Sequence, residues 1–303
     1  MAYHVPVLAK ECMELLAIRP EGVYVDVTFG GGGHSRLILE KLGGKGRLIA
    51  FDQDEDVKAN EILDPRFTLA QHNFRIFRRF LRLEGVDKVD GILADLGVSS
   101  HQLDVPERGF SHRFDEVLDM RMDQRSDRTA ADLINTYDES QLLEVFSRYG
   151  EVRNSRSLAA RLVAERSKRP LRSVNDLLQA IDPLIRGDRQ RYLSQVFQAL
   201  RIELNDEMGA LRDFLEQSLD SLKPGARIVV ISYHSLEDRM VKNFFRSGSV
   251  DGEIKQDFFG NIYRPFELLT KKAIAPGEEE LRLNPRSRSA KLRAAVLAPS
   301  PAE

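Results

Sequence analysis

The sequence predicts an α/β protein in which a Rossmann-like sheet is interrupted by an all-helical domain. Over the first hundred residues, short apolar segments rich in β-branched residues alternate with segments of helical spacing. Such alternation favours a parallel sheet with helices on both faces. Strand-like segments are missing from residues 104–191 and return afterwards. We therefore expect residues 1–103 and 192–303 to form the sheet domain, with residues 104–191 as a helical insertion.

Each strand of the expected sheet is a short apolar segment bounded by turn-forming or charged residues. Six segments have this pattern: Val23–Thr28, Arg47–Asp52, Phe67–Gln71, Gly91–Leu96, Arg227–Ser232 and Leu292–Leu297. Between the fourth and fifth strands, four segments have apolar residues at helical spacing. They are Thr129–Tyr149, Arg153–Ser167, Ser173–Ile185 and Ser194–Leu222, and the expected caps of the first three are Asp127, Asn154 and Ser173.

Composition excludes several classes of protein. A single cysteine, Cys12, excludes an internal disulfide framework and any metal site built from several cysteines. The six histidines show no metal-ligand spacing, so we expect no metal. No apolar run approaches the roughly 20 residues of a membrane-spanning helix, and the N-terminal residues lack a secretory pattern. We therefore expect a cytoplasmic protein without a membrane partner.

Basic residues are concentrated in short runs, although the net charge is only −2. Residues 148–172 contain eight Lys and Arg against two acids, and residues 282–293 contain five against none. A smaller cluster consists of Arg75, Arg78, Arg79 and Arg82. Such runs are typical of surfaces that follow a phosphate backbone. A solvated helix face produces the same pattern, so both interpretations stay open.

A glycine loop between the first strand and the first helix predicts a nucleotide-like cofactor. In the segment Asp26–Gly33, four consecutive glycines allow positive φ angles and close approach of a ligand. Asp52 ends the second strand, where a carboxylate can accept hydrogen bonds from two ribose hydroxyls. The third glycine of the dinucleotide fingerprint is replaced by Ser35. This replacement disfavours a dehydrogenase. The spacing of Asp26, Gly30 and Gly32 instead resembles the acid-then-glycine loop of class I methyltransferases, which favours S-adenosylmethionine as the cofactor.

Eight short motifs are distributed along nearly the whole chain: His4–Leu8, Thr28–Ser35, Asp95–Ser100, Glu107–Ser111, Leu118–Asp123, Phe197–Ile202, Ser232–Arg239 and Asn284–Ser289. In this order they resemble the bacterial RsmH (MraW) family of 16S rRNA cytosine-N4 methyltransferases. The resemblance implies a class I S-adenosylmethionine-dependent methyltransferase with an inserted helical domain. It implies methylation of the exocyclic amine of cytidine 1402 in 16S rRNA of the small ribosomal subunit. Two alternatives stay open: a methyltransferase for another RNA or DNA site, and a non-catalytic ribosome-assembly factor that binds the cofactor.

The resemblance also implies which residues bind the cofactor. Carried onto this sequence, the family's contacts are Gly32, Gly33, His34, Asp52 at the ribose, Phe74 beside the adenine, Asp95 and Gln102. Asp95 is in addition the candidate catalytic residue, because a carboxylate after the fourth strand could accept a hydrogen bond from the amine that is methylated. The alternative role of Asp95 is that of a helix cap or loop-fixing acid. Carbon-5 methylation is excluded as a rival chemistry, because Cys12 is remote from every strand end.

We expect the RNA to contact the helical insertion and both long basic runs. The target base must be single-stranded or flipped out of its stack for the reaction to occur. Tyr137, Phe146 and Tyr149 are candidate stacking surfaces, although their helical spacing is also typical of core residues.

Overall fold

The computed structural model describes residues 6–256, 260 and 262–299, so His4 and Val5 of the first motif lie outside the described residues. The chain forms two compact units, one from the residues up to Gly97 and from Met208 onward, the other Val98–Glu207. The second unit extends beyond the predicted insertion 104–191 at both ends. On the C-terminal side the reason is the helix Arg189–Asn205, whose Val196, Phe197 and Leu200 belong to the core of this unit.

The first unit contains one sheet of seven strands. They are β1 Val23–Asp26, β2 Arg47–Phe51, β3 Phe67–Ala70, β4 Val89–Asp95, β5 Leu222–Ser232, β6 Phe266–Leu268 and β7 Lys291–Leu297. Their order is β3-β2-β1-β4-β5-β7-β6, and the first five pair in parallel. Strand β7 runs antiparallel to both of its neighbours. This is the Rossmann-like sheet that the sequence predicts, and the α/β fold class is confirmed.

Twelve α-helices are found among the described residues. They are α1 Ala9–Leu16, α2 Gly33–Lys41, α3 Phe77–Leu83, α4 Ser100–Asp104, α5 Ala130–Thr136, α6 Glu139–Arg148, α7 Ser155–Arg166, α8 Val174–Ile181, α9 Arg189–Asn205, α10 Glu207–Ser221, α11 Ser235–Ser247 and α12 Glu278–Leu283. In the described part of the chain, none of these helices is long and apolar enough to cross a bilayer.

Both faces of the sheet are buried. Val25 and Val27 pack on one side with apolar residues of α3, α10 and α11, whereas Tyr24 packs on the other side with α1 and α2. The same alternation continues in β5, where Val230 and Val229 point to opposite faces. Successive side chains of a strand point to opposite faces of the sheet, and helices cover both faces. These strands therefore appear in the sequence as continuous apolar runs. Polar residues at the carboxyl ends of the parallel strands therefore collect at one edge.

The second unit has its own core of helix-borne apolar residues. Several of its helices begin with capping boxes, in which the cap and the third helical residue exchange hydrogen bonds. The predicted helix Thr129–Tyr149 was wrong in length, because Asp138 caps a new helix and divides the segment into α5 and α6. The cap of α5 is Thr129 and not the expected Asp127.

Two further differences from the prediction concern single elements. The segment Ser194–Leu222 is not one helix, because Asp206 adopts a left-handed conformation with φ 47° and separates α9 from α10. Strand β6 was missed, because it has only three residues and directly follows Pro265.

Candidate functional site

The turn from β1 into α2 contains the glycine loop, and its backbone requires glycine at specific positions. Gly30 and Gly32 have φ angles of +51° and +76°, a region that glycine populates without strain. A Cβ on Gly32 would lie 3.0 Å from the ring of Phe29. At Gly31, by contrast, a Cβ would meet nothing within 4 Å. The loop therefore leaves open space beside a backbone that bends tightly into the helix.

Asp52 follows β2 and supports the same loop. Its Oδ2 accepts a hydrogen bond from the backbone N–H of Gly30 at 2.8 Å, and its Oδ1 accepts one from the N–H of Asp54 at 3.0 Å. Burial raises the pKa of Asp52 to about 6, although the two hydrogen bonds favour the charged form. Each carboxylate oxygen retains acceptor capacity for a further donor such as a ribose hydroxyl.

A chain of hydrogen bonds joins the carboxyl ends of β1 and β4. The backbone N–H of Asp95 donates to Oγ1 of Thr28 at 2.6 Å, and this hydroxyl lies 3.4 Å from Oδ1 of Asp26, to which it donates. The other oxygen of Asp26 accepts from Oγ of Ser35 at 2.7 Å. Asp26 is thus buried and engaged in holding the loop. Ser35, at the position of the dinucleotide enzymes' third glycine, uses its hydroxyl to bind that acid.

The carboxylate of Asp95 accepts a hydrogen bond at one oxygen and lies near a histidine ring at the other. Oη of Tyr233 donates to Oδ1 at 2.8 Å, and Nδ1 of His34 lies 3.7 Å from Oδ2. Burial raises the pKa of Asp95 to about 6, while His34 and the Tyr233 hydrogen bond lower it and the nearby carboxylates of Asp26 and Glu237 raise it. The side chain of Asp95 remains 22% exposed, so one region of the carboxylate is open to a ligand.

Tyr233 is itself anchored by the first turn of α11. Its backbone N–H donates to Oε2 of the buried Glu237 at 2.8 Å. His234 caps α11 by accepting the N–H of Glu237 at Nδ1, 3.4 Å away. Tyr233 and Glu237 lie in the motif Ser232–Arg239 and Thr28 in the motif Thr28–Ser35, but no role was predicted for these three residues. The signal that could have found Tyr233 is its place directly after β5, at the same sheet edge as Asp95.

The structure places the predicted cofactor residues in two groups. Gly32, Gly33, His34, Asp52, Phe74 and Asp95 all belong to the first unit. Phe74 is half-buried and contacts Phe214 edge to face at 5.7 Å, and the preceding Asn73 donates to the Gln53 side chain at 2.8 Å, next to Asp52. Gln102 belongs to the second unit, where its side-chain oxygen accepts the N–H of Ser99 at 3.0 Å in the capping box of α4.

Cys12 and His34 have structural roles. Cys12 is fully buried in α1, as expected of a small apolar residue, and burial raises the pKa of its thiol. Nε2 of His34 lies 2.9 Å from the carbonyl oxygen of Val7. Because that oxygen can only accept, Nε2 carries the proton.

Many members of the basic runs are engaged within the protein. In the run 148–172, five residues pair with an acid or a backbone carbonyl: Arg148, Arg161, Arg166, Lys168 and Arg169. The other three, Arg153, Arg156 and Arg172, are exposed, and no acidic group among the described residues pairs with them. In the smaller cluster, Arg75 and Arg78 pair with Asp213 and Asp220 of α10.

Of the candidate stacking residues, Phe146 is fully buried in the core of the second unit, so its interpretation as a stacking surface was wrong. Tyr137 and Tyr149 are half-buried, and each has an arginine over its ring, at 4.6 and 5.2 Å from the centroid.

Residues 1–297 match the model of the MraW methylase family. The chain belongs to this family. Three relatives named "Ribosomal RNA small subunit methyltransferase H" illustrate the similarity. The proteins of Bacteroides thetaiotaomicron and Bacteroides fragilis are 54% and 55% identical, each over 97% of both chains. That of Cytophaga hutchinsonii is 55% identical over 97% of this chain and 99% of its own.

Family membership confirms the resemblance seen in the sequence. The chain is a methyltransferase, and S-adenosylmethionine is its methyl donor. The residues of the first unit fit this cofactor. Gly30 and Gly31 border open space that a Cβ would occupy, and the Asp52 carboxylate has acceptor capacity to spare. The half-exposed Phe74 lies on the segment that Asn73 ties to the loop after β2.

Proposed function

We propose that this methyltransferase methylates the exocyclic N4 amine of cytidine 1402 in 16S rRNA of the small ribosomal subunit. The observation that carries the proposal is the identity of 54–55% with proteins named ribosomal RNA small subunit methyltransferase H, over 97% of this chain. The subunit is the partner, and the enzyme works in the cytoplasm, where that substrate is found. The finer target, one amine of one nucleotide, follows from the family that the motifs resemble.

In this proposal the cofactor is held by Gly32, Gly33, His34, Asp52, Phe74, Asp95 and Gln102. S-adenosylmethionine supplies an electrophilic methyl group when it is bound. The half-buried carboxylate of Asp52 accepts the ribose hydroxyls, and Phe74 packs against the adenine. The positive φ of Gly32 lets the backbone turn into α2 without a side chain between the loop and the ligand.

Asp95 is the proposed catalytic residue. The N4 amine is a weak nucleophile, because its lone pair is delocalised into the ring. A carboxylate that accepts an N–H hydrogen bond favours attack and stabilises the positive charge that develops on the nitrogen. The hydroxyl of Tyr233 orients Asp95 beforehand, which avoids reorganisation during the reaction.

The second unit, including the predicted insertion 104–191, is the proposed RNA-binding domain. Arg153, Arg156 and Arg172 are exposed and carry no acidic partner among the described residues, so their charge is available to phosphates. The target cytidine must leave its stack to reach a carboxylate at the sheet edge.

Methyl transfer from labelled S-adenosylmethionine tests the proposal. The acceptors are small subunits from cells that lack the modification, naked 16S rRNA and duplex DNA, followed by mass analysis of the nucleosides. N4-methylcytidine at position 1402 is the expected product. Label in DNA, or at another RNA position, would contradict the proposed substrate and identify a different one. Tight cofactor binding with no transfer to any acceptor would favour an assembly factor instead.

A further inference from the structure

A cavity of about 310 Å³ lies at the carboxyl edge of the sheet, beside β5 and the start of β7. Two segments that carried the family resemblance, Ser232–Arg239 and Asn284–Ser289, contribute to its wall although they are distant in sequence. The lining residues are Tyr233, His234, Ser235, Ala275, Arg288, Ser289, Ala290 and Lys291. The volume is at the small end of the range of ligand pockets.

The cavity wall is cationic and rich in hydrogen-bond donors. Arg288 is exposed and pairs with no acidic group among the described residues. Nζ of Lys291 lies 3.6 Å from Oδ2 of Asp238, but that carboxylate already accepts from Nε of Arg293 at 2.7 Å. The charge of Asp238 is therefore already compensated, and an anion in the cavity would meet the unpaired charge of Arg288.

A buried histidine also faces this cavity. The side chain of His234 is 6% exposed, and its Nδ1 accepts the backbone N–H of Glu237, which leaves the proton on Nε2. Nε2 lies 3.1 Å from Oε1 of Glu237 without forming a hydrogen bond, so it is a buried donor without an acceptor. Such a donor is costly unless a ligand satisfies it.

The cavity adjoins the proposed catalytic carboxylate through Tyr233. This tyrosine lines the cavity and donates its hydroxyl to Asp95 at 2.8 Å. A group held in the cavity would thus lie next to the place where the target base is presented. A nucleotide strand carries a phosphate on each side of every base, and a cationic recess with several hydrogen-bond donors can bind such a phosphate.

We propose that this cavity binds a backbone phosphodiester of the RNA strand adjacent to the methylated nucleotide. Arg288 supplies the principal charge, and the hydroxyls of Ser235 and Ser289 and Nε2 of His234 supply hydrogen bonds. The inference rests on the proposed function, because it assigns a subsite for that RNA substrate.

Steady-state methylation of small subunits by Arg288→Ala and Arg264→Ala enzymes tests the subsite. Arg264 is an exposed arginine of the same unit that does not line the cavity, so its variant is a matched control for loss of charge. We expect Arg288→Ala to raise KM for the subunit about tenfold, as for loss of one charged contact, with kcat and cofactor affinity unchanged. Arg288→Lys should recover most of the loss, and Arg264→Ala should behave as wild type.

Equal KM values for the Arg288→Ala and Arg264→Ala enzymes would overturn the inference and leave the proposed function intact. If the wild-type enzyme methylates no small subunit, the proposed function fails, and the cavity is then tested by fluorescence anisotropy with single-stranded RNA. The phosphate subsite would still be supported if Arg288→Ala binds the RNA more weakly and Arg264→Ala does not. The slope of log affinity against log salt concentration should then be reduced by about 0.7 in the Arg288→Ala protein. Unchanged anisotropy would refute it.

Discussion

Asp95 combines two properties that oppose each other. Its carboxylate is largely withdrawn from water, which raises its pKa to about 6, yet the proposed reaction needs it ionised. The Tyr233 hydroxyl donates to one oxygen and thereby favours the ionised form, and the His34 ring lies 3.7 Å from the other oxygen. Near neutral pH the group is therefore charged and oriented, with part of its surface open to a substrate.

Tyr233→Phe should shift the pH dependence of methyl transfer. Loss of the hydroxyl removes a hydrogen bond that favours ionised Asp95, so the pKa of Asp95 should rise above about 6. The active form is the ionised one, so the rate falls as pH decreases through this pKa. We expect the acidic limb of the single-turnover rate to move upward by about one pH unit. The other groups that face Asp95, namely His34, Asp26 and Glu237, are unchanged in this variant.

Tyr24→Phe is the matched control for the tyrosine variant. Its Oη is also buried and accepts the backbone N–H of Arg19 at 2.8 Å, but it does not contact Asp95. This variant should lose a comparable hydrogen bond with the pH profile unmoved. If both variants shift the profile equally, or neither does, Tyr233 has only a structural role.

Asp95→Asn should abolish turnover without weakening the fold. The amide keeps an acceptor for Tyr233 but cannot act as the anionic acceptor, so we expect methyl transfer to fall at least about 100-fold with cofactor binding retained. The folded pKa of about 6 exceeds the ordinary 3.8, so this carboxyl stabilises the fold below pH 3.8 and loses that contribution as pH rises through 6.

At pH 8 the Asp95→Asn protein should therefore have a higher free energy of unfolding than wild type, by about 1–3 kcal/mol, and the difference should shrink toward pH 4. Urea unfolding at the two pH values measures it. A variant that keeps full turnover, or that is less stable at pH 8, would contradict this account of Asp95.

Among the structural elements, the β1–α2 turn contains two adjacent glycines that should differ in their tolerance of a side chain. Gly32→Ala forces a side chain into φ +76° and within 3.0 Å of the Phe29 ring, so we expect a loss of about 1–3 kcal/mol in stability and weaker cofactor binding. Gly31→Ala places its methyl group in open space at an ordinary φ, and its stability should stay within about 0.5 kcal/mol of wild type. Thermal unfolding and calorimetric titration distinguish the two, and equal destabilisation would refute the difference.

Long, buried elements were predictable from the sequence, and short or locally interrupted ones were not. Six strands have apolar patterns strong enough to identify, because both faces of the sheet are covered. Strand β6, Phe266–Leu268, is too short to show a period and depends on pairing with β7. The break at Asp206 was hidden because apolar spacing continues on both sides of it, and only its left-handed backbone reveals two helices.

At the scale of the whole molecule, the site could be predicted only where one segment carries its own signal. The glycine loop and Asp52 follow strands directly, so position along the chain suffices to predict them. The contact between Asp95 and Tyr233 depends on β4 and β5 being neighbours, although the second unit separates them in sequence. No local pattern encodes that adjacency, which is why the tyrosine had no predicted role.

Substrate affinity should depend on the arginines that the second unit leaves unpaired. We expect the Arg153→Ala/Arg156→Ala double variant to reduce the slope of log affinity against log salt by about 1.4, as for two lost contacts to single-stranded RNA. The Arg148→Ala/Lys168→Ala variant removes charges already paired with Glu144 and Glu165, so its slope should change less. Filter binding of rRNA fragments at several salt concentrations measures both. Identical slopes in all three proteins would rule out an RNA path along this run.

The insertion between β4 and β5 has a consequence for the order of folding. The chain leaves the sheet at Asp95 and re-enters the adjacent strand at Leu222. Helices joined by local contacts form faster than strand pairs with distant partners, and closure of a long flexible loop carries an entropic cost. A nascent chain with only its local contacts holds the glycine loop but not the bond from Tyr233 to Asp95. Methyl transfer therefore requires that the slow pairing of β4 with β5 is complete. A kinetically trapped, partly folded protein would show no activity in that assay.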